Sequence, residues 1–430
     1  MLTVPIRKPS VSKYRKICVA VFTLVALAVA AFSPSGTSWA ATQTTTASSN
    51  APTQGVTSNS IKVGGVEVVN GQGYSYSDVC NGAQVEFDAV NAAGGVNGRK
   101  INYTGCLDDG GTTVTDNSQT TRLVEQDKVF AIVPASIIFS GSSIAQQANV
   151  PYFGWGISPY FCNNAQGFGF NGCTGPTNPN WTDTSWATMI KKMIPGVKTV
   201  GIQSLDIPTT KTTANSAIRG FTAKGLKTTY KDLSLPLTGV SDYTPYVQKI
   251  LAANPQALVL QVQTPIPLIA ALRAAGYKGA TFDAVDDSVQ ELKSPSTAKT
   301  LQGAYVVTSF SPYAGNSGMN KMRSDATKYG TSKTIVDDSF AQGYFSASMF
   351  IDMVKKTGKN LTYNTFYKTA NNSGYCYNGN GAMGTVCYPT GHTDYTGCVA
   401  LVQVRNAAFV PKVPITCSTG PGNNASKPSK

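Results

Sequence analysis

The strongest constraint on this chain is the way short apolar runs alternate with amphipathic ones. "IKVGGVEVV" reads as a strand, and "GAQVEFDAVNAA" as a helix with Ala83, Phe87 and Val90 on one face. Gly94-Gly95 ends that helix, and Asn97-Gly98 turns the chain into the strand "KINYTGCL". The helix "NSQTTRLVEQD", the strand "VFAIVPAS", the helix "SSIAQQAN" and the strand "PYFGWG" follow. A stretch rich in Gly, Asn, Pro and Cys then runs from Tyr160 to Trp181. Beyond it the alternation restarts with "TSWATMIKKMI", "KTVGIQS", "TTANSAIRGFTAKG", "YTPYVQKILAAN", "ALVLQVQ", "PLIAALRAAG" and "ATFDAV". Strands that alternate with helices of this length demand parallel sheets flanked by helices. Two such sets of roughly 120 residues each predict two similar α/β lobes. After the strand "GAYVVTSF" come two long helical runs and the closing hairpin "TGCVALVQVRNAAFVP". The chain is therefore expected to return to the first lobe and finish in the second.

The N-terminal segment points to export. Arg7, Lys8, Lys13, Arg15 and Lys16 precede an uncharged run from Ile17 to Phe32, and small residues surround Ala40. A positive leader, a short apolar region and small residues form a secretory signal peptide. An uncleaved anchor is the competing reading, but the run is shorter than a spanning helix requires. The net charge of +13 falls to +8 without the leader (30 basic against 22 acidic residues) and is dispersed, which argues against nucleic acid. Removing Cys18 leaves Cys80, Cys106, Cys162, Cys173, Cys376, Cys387, Cys398 and Cys417, an even set that suggests disulfides in an exported chain. Metal ligation is the alternative. No C-x-x-C occurs and His392 is the only histidine, so no metal is expected. Eight cysteines permit 105 pairings. Sequential pairing is the expectation, because Cys162–Cys173 and Cys376–Cys387 each bracket a short Gly/Asn-rich loop.

Catalytic signatures are missing. "GFGFNG" (Gly167 to Gly172) fits G-x-G-x-x-G, but that motif needs a strand before it and a helix after it, and here it lies in loop sequence. No G-x-S-x-G elbow presents a nucleophile, and His392 sits in turn-like "PTGHTDYTG", where it reads as a surface or turn residue. Neither an enzymatic activity nor a cofactor is expected.

With that order in hand, "NGAQVEFDAVNAAGGVNGRK" resembles the segment after the first strand of type I periplasmic solute-binding proteins, specifically the branched-chain amino acid (Leu/Ile/Val) binding family of ABC importers. The resemblance continues through "CLDDGG", "VFAIVPAS", "ANVPYFG", "ALRAAGYKG", "FAQGYFSASMFIDMVKKTG" and "HTDYTGCVALVQVRNAAFVP", covering roughly Asn59 to Thr416. It implies two Rossmann-like lobes joined by three crossovers, a ligand cleft between them and an ABC permease as partner. The boundaries expected are a signal peptide at 1–40 and a flexible linker at 41–57. An N-terminal lobe of 58–182 and 311–395, a C-terminal lobe of 183–310 and 396–417, and a disordered tail at 418–430 complete the division.

Candidate ligand-binding residues follow from position. In open parallel sheets ligands sit beyond the carboxyl ends of the strands. Tyr74 and Tyr76 lie in the loop after the first strand, where they line the cleft or cover the lobe surface. By the resemblance, Ser136 corresponds to a serine whose hydroxyl, with nearby amides, binds a ligand carboxylate. Trp155, Gly156 and Ile157 occupy the loop after the fourth strand, the tryptophan forming either a cleft wall or part of the core. In the second lobe Asp206 and Thr209, Gln263, and Asp286 with Asp287 follow successive strands. The resemblance offers Asp286 or Asp287 to a ligand ammonium; helix capping is the other reading. The family's polar threonine after the fourth strand is absent, and Thr209-Thr210 stands where a Tyr-Gly pair is usual, so aromatic acids and amides join amino acids as possible ligands. The function expected is capture of a small organic ligand by lobe closure in a monomeric, extracytoplasmic protein. A sensor on the same lobes and a secreted α/β hydrolase are the alternatives.

Overall fold

The computed structural model describes residues 53–71, 75–284 and 288–428. The leader and most of the expected linker, together with Tyr74, Asp286 and Asp287, lie outside the described residues. The first α/β set comprises strands β1 (Ser60–Glu67), β2 (Lys100–Asp108), β3 (Ala131–Ala135), β4 (Tyr152–Gly154) and β5 (Gly167–Gly169), with helices α1 (Ser77–Ala92), α2 (Thr113–Thr121) and α3 (Ser142–Gln147). The second comprises β6 (Thr199–Leu205), β7 (Lys227–Leu235), β8 (Ala257–Gln261), β9 (Ala280–Asp283) and β10 (Tyr305–Thr308), with α4 (Ser185–Met193), α5 (Pro208–Ala223), α6 (Thr244–Ala253), α7 (Pro265–Ala274) and α8 (Pro295–Leu301). Helices α9 (Ser317–Tyr329), α10 (Asp338–Thr357) and α11 (Tyr363–Ala370) return to the first lobe. The hairpin β11 (Tyr375–Tyr377) and β12 (Val386–Tyr388) follows, and β13 (Cys398–Arg405) and β14 (Ala408–Cys417) close the second sheet.

The two sheets repeat one design. The first runs β2-β1-β3-β4-β5, all parallel; the second runs β7-β6-β8-β9-β10 in the same relative order, extended by antiparallel β13 and β14. Strand order therefore reverses direction between β1 and β3 in one lobe and between β6 and β8 in the other. Such a switch point opens a crevice at the carboxyl ends of the strands.

Apolar periodicity explains how each lobe is covered. Ala83 and Phe87 of α1 are fully buried, and Val90 packs beside them. The same cluster holds Phe130, Phe153, Phe340, Phe350 and Phe366, so α10 and α11 share the core of the first sheet although they follow it by some 200 residues in sequence. Close approach of α1 and α10 depends on two glycines. A Cβ at Gly82 would stand 2.0 Å from the Phe340 carbonyl oxygen, and one at Gly343 would stand 1.7 Å from that of Val79. Only glycine lets backbones pack so closely. Buried aliphatic residues such as Leu258, Leu260, Val306 and Val404 cover one face of the second sheet, and Val200, Ile202, Val259 and Leu401 the other.

Four disulfides connect Cys80–Cys106, Cys162–Cys173, Cys376–Cys387 and Cys398–Cys417, the sequential pairing. Four strands, β5, β7, β11 and β12, escape the sequence reading. The G-x-G-x-x-G match contributes β5 and is not followed by a helix. The tail is a correction too. It was expected to be disordered, yet Ser418, Asn423 and Ala425 are buried. Asn423 accepts a hydrogen bond from the Trp181 indole at 3.1 Å and donates to the Thr182 carbonyl at 2.7 Å. The Tyr395 amide donates to Gly422 and the Cys387 amide to Ala425. Compositional bias toward Gly, Pro and Asn signals irregular backbone, and here that backbone finds partners along its length.

The chain passes between the sheets three times, at 170–184, 309–316 and 393–397. Buried Asn171 knits these passages together. Its amide donates to the Ser309 hydroxyl at 3.0 Å, and its carbonyl accepts from the Thr396 amide at 2.9 Å.

Candidate functional site

The switch points of the two lobes meet. Tyr76, in the loop between β1 and α1, accepts a hydrogen bond from the Gln263 side-chain amide, just past β8, at 3.1 Å. One residue is 8% exposed and the other half-buried, so a bond between candidates 187 positions apart spans the crevice with little water access. Tyr76 packs with Val68, Val79, Ile137 and Ile138, which give the first-lobe wall an apolar surface around one phenol. A second link lies nearer the crossovers. The Ser288 hydroxyl, in the loop after β9, donates to Asp337 at 2.9 Å, and Asp337 also caps α10 by accepting from the Phe340 amide at 3.0 Å. The Thr308 hydroxyl donates to Asp338 at 2.5 Å. Beside these carboxylates a cavity of about 130 Å³ is lined by residues of both lobes, including Val289, Phe310, Met319 and Val402.

Other candidates stand apart. Ser136 follows β3 as expected, but it is buried; its hydroxyl accepts from the Ile138 amide at 3.3 Å and bonds the carboxyls of Glu67 and Asp109. The hydroxyl is therefore already engaged beneath the surface, with Glu67 and Asp109 as its neighbours. Trp155 is half-buried against the first-lobe core, and Ile157 is half-buried two residues on. Gly156 between them has φ +89°, and a Cβ there would meet the Gly172 carbonyl oxygen at 2.0 Å, so this loop is fixed in shape by backbone contact. Asp206 is exposed and pairs with Lys211, while Thr209 sits half-buried in the first turn of α5. His392 lies in a 3-10 turn, Thr390–His392, and of its two expected readings the surface one is corrected. It is buried, its ring lying 4.6 Å from that of Tyr388 and 5.3 Å from that of Phe168. Burial pushes it down to about 4.

Sequence reasoning missed the acidic groups around the crevice. Glu67 ends β1 inside an apolar strand and is 1% exposed; burial, with Asp109 beside it, pushes it up to about 8. Asp109 is likewise raised by burial, and Asp116 is pushed up to about 6 by burial. On the second-lobe side, burial and the charges of Asp283 and Asp337 push Glu291 up to about 7. Burial above all raises Asp337 to about 6, with Asp78 and Asp338 adding. A carboxyl inside a strand and two aspartates just before a long helix were the available signals. Among the described residues no group of three or more His, Cys, Asp or Glu is arranged to hold a metal ion, and no helix is long and apolar enough to cross a membrane.

Comparison with solved structures agrees with this fold. A solute-binding protein from R. palustris in complex with benzoate superposes with a TM-score of 0.66 at 15% identity, covering 85% of this chain and 99% of that one. A branched-chain amino acid transporter protein from Thermus thermophilus with bound valine gives 0.66 at 13%, covering 84% and 97%. A fatty acid ABC transporter substrate-binding protein from Thermomonospora curvata gives 0.66 at 17%, covering 85% and 95%. No curated protein sequence matches. The sequence model for periplasmic binding proteins matches residues 60–408, and the chain, a two-lobed α/β protein with facing switch points, belongs to that family.

Proposed function

We propose that this protein is the extracytoplasmic solute-binding component of an ABC importer, which captures a small organic ligand by closing its lobes and delivers it to a membrane permease. The hydrogen bond between Tyr76 and Gln263 carries the reading most directly, because it joins the crevices of two sheets built to one design. Lobe boundaries of 58–182 with 311–395, and 183–310 with 396–417, are part of this reading; the order of strands in the two sheets supports it. The residues offered to the ligand are Tyr76 and the Trp155–Ile157 loop on one side, and Asp206, Thr209 and Gln263 on the other. Tyr74, Asp286 and Asp287 join them by sequence position. Proteins of this fold are in complex with benzoate or valine, and one is named for fatty acids; these ligands have an apolar body, and the apolar wall around Tyr76 suits such a body. An amino acid or a related aromatic or amide compound is the class proposed. A leader at 1–40 directs the chain out of the cytoplasm.

A thermal-shift screen of amino acids, aromatic acids and amides tests this. A ligand at 100 times its dissociation constant adds about 2.7 kcal/mol of stability. Stabilisation by one class, weakened by Gln263→Ala and by Trp155→Ala without loss of the fold, is the expected outcome. A screen in which no class stabilises the protein contradicts the proposal.

A further inference from the structure

We propose that the first lobe carries a second ligand site, away from the crevice, that takes a neutral polyhydroxylated molecule of sugar size. The site is a cavity of about 500 Å³ between α1, α9, α10 and the turn that follows β11. Helices α1 and α10 run side by side, with Gly82 against Phe340 and Gly343 against Val79. Beyond this contact they wall the cavity through Glu86 and Val90 on one side and Ser348 and Ile351 on the other. Glu86 lies ten positions, about 15 Å, along α1 from Tyr76. All the lining comes from elements of the first lobe, so lobe closure neither makes nor removes this cavity. Its walls are fixed. The Cys376–Cys387 disulfide holds the hairpin, and the Asn316 side-chain amide donates to the Gly381 carbonyl at 2.7 Å. The Ser317 hydroxyl donates to the Asn380 carbonyl at 3.1 Å, which seats the turn on α9. A Cβ at Gly318 would stand 2.0 Å from the Gly379 carbonyl oxygen. Toward the end of α10, Asp352 accepts from the Tyr375 hydroxyl at 3.0 Å and the Lys356 ammonium at 2.7 Å.

The chemistry of the lining selects the ligand. Glu86 is 4% exposed, and its Oε2 has no hydrogen-bond partner among the described residues; the Lys321 ammonium stands 3.6 Å away. The Tyr377 hydroxyl is buried at the same cavity and also has none. The Ser348 hydroxyl lies beside both. The Tyr344 hydroxyl is already occupied, donating to Asp325 at 2.6 Å and accepting from Lys321 at 3.0 Å. Buried polar atoms are satisfied in folded proteins with few exceptions, so two such atoms at one cavity point to a molecule that satisfies them from outside. Net charge on that molecule is disfavoured in either sign. A carboxylate or phosphate would face Glu86, and an ammonium would face Lys321 with Lys355 and Lys356 at the rim. A hydroxyl carries no charge, donates to Glu86 and accepts from Lys321 or Tyr377. Asn378 and Asn380 add amides that both donate and accept, while Ala89, Val90 and Ile351 suit the C–H edges of a compact carbon frame. A sugar or cyclic polyol presents several hydroxyls on such a frame, and the volume suits a molecule of that size.

Saturation-transfer NMR and calorimetry on the oxidised full chain test this. The probes are glucose, galactose, arabinose, inositol and sucrose, with glucosamine and glucuronate as charged counterparts. At least one neutral probe is expected to bind with a Kd below about 1 mM, and the charged ones at least tenfold more weakly. Glu86→Gln is expected to weaken that probe on the order of tenfold, and Tyr377→Phe, which keeps the ring, on the order of threefold. Ala93 is exposed at the rim just past α1, and Ala93→Trp is expected to block the cavity and abolish binding. Failure of every neutral probe, preference for a charged one, or binding that survives Ala93→Trp would each overturn the proposal. Binding that survives Ala93→Trp but is lost in Gln263→Ala would place the sugar in the crevice instead. Circular dichroism checks the fold; if Glu86→Gln fails to fold, Ala93→Trp carries the test alone. A negative result leaves the crevice and its ligand screen to be judged separately, because the two sites share no residue.

Discussion

Replacing Glu67 by glutamine should stabilise the protein, and by an amount that grows with pH. The side chain is 1% exposed at the end of β1 and accepts from the Val68 amide at 3.0 Å, with further bonds to Ile137 and Ser136. These bonds favour the charged form, but burial outweighs them and lifts the group from 4.5 to about 8. In the folded protein it therefore stays protonated at neutral pH, whereas in the unfolded chain it ionises. Each unit of displacement is worth about 1.4 kcal/mol, so the strain on folding is on the order of 3 kcal/mol at pH 7 and approaches 5 kcal/mol above pH 8. Stability due to the raised group is intact below about 4.5 and drains away up to about 8. Glutamine keeps a carbonyl acceptor for the Val68 and Ile137 amides and has no charge to bury. Urea denaturation of the oxidised protein at fixed ionic strength, from pH 4.5 to 8.5, measures the difference. The two proteins should be nearly equal at the acid end and diverge by about 3 kcal/mol or more near pH 8. A gap that is the same at every pH would refute the reasoning, because it would mean that Glu67 ionises as easily folded as unfolded.

Two further expectations concern parts of the structure that move little. His392 should remain neutral by NMR titration down to about pH 4, and its contribution to stability, intact above 6.5, should fall by about 3 kcal/mol as the pH drops through that interval; a midpoint near 6.5 in the folded protein would contradict its burial. Gly156→Ala should lower the melting temperature sharply, losing about 2–4 kcal/mol, because the new methyl group meets the Gly172 carbonyl oxygen and φ is +89°. Unchanged stability would show that the Trp155–Ile157 loop can adjust.

The legible parts of the sequence were those where one face of an element is apolar throughout. Strands β1, β3, β6 and β8 sit inside their sheets and read as apolar runs. Of the four strands that escaped, β11 and β12 form a hairpin of three-residue strands, and β5 and β7 are sheet edges. β5 is three residues long, and "KTTYKDLSL" of β7 buries only Tyr230 and Leu235. An edge strand needs fewer apolar side chains and carries polar ones that keep other chains from pairing with it, so its period is faint. Position relative to strand ends singled out both Tyr76 and Gln263, whose side chains are hydrogen-bonded, since the switch-point rule depends only on topology. It did not reveal which way a side chain would face, and Ser136 turned out to be occupied by two carboxyls. The acidic groups were faint for a related reason. Glu67, Glu291 and Asp337 owe their raised values chiefly to burial, which tertiary packing sets and no local window of sequence contains.

The way Asn171 and the C-terminal tail join the interlobe passages limits how the lobes can travel. Three independent ribbons between two bodies would let them bend, slide sideways and twist. Here Asn171 pins the three passages to one another at a single buried point, and the tail lies across the first and third through Trp181, Thr182 and Tyr395. Ribbons fastened side by side resist shear in their plane and twist about their length while still flexing out of the plane. Lobe movement is thereby reduced to rotation about one axis, along which the Tyr76–Gln263 and Ser288–Asp337 pairs approach in a fixed register and not as a loose encounter.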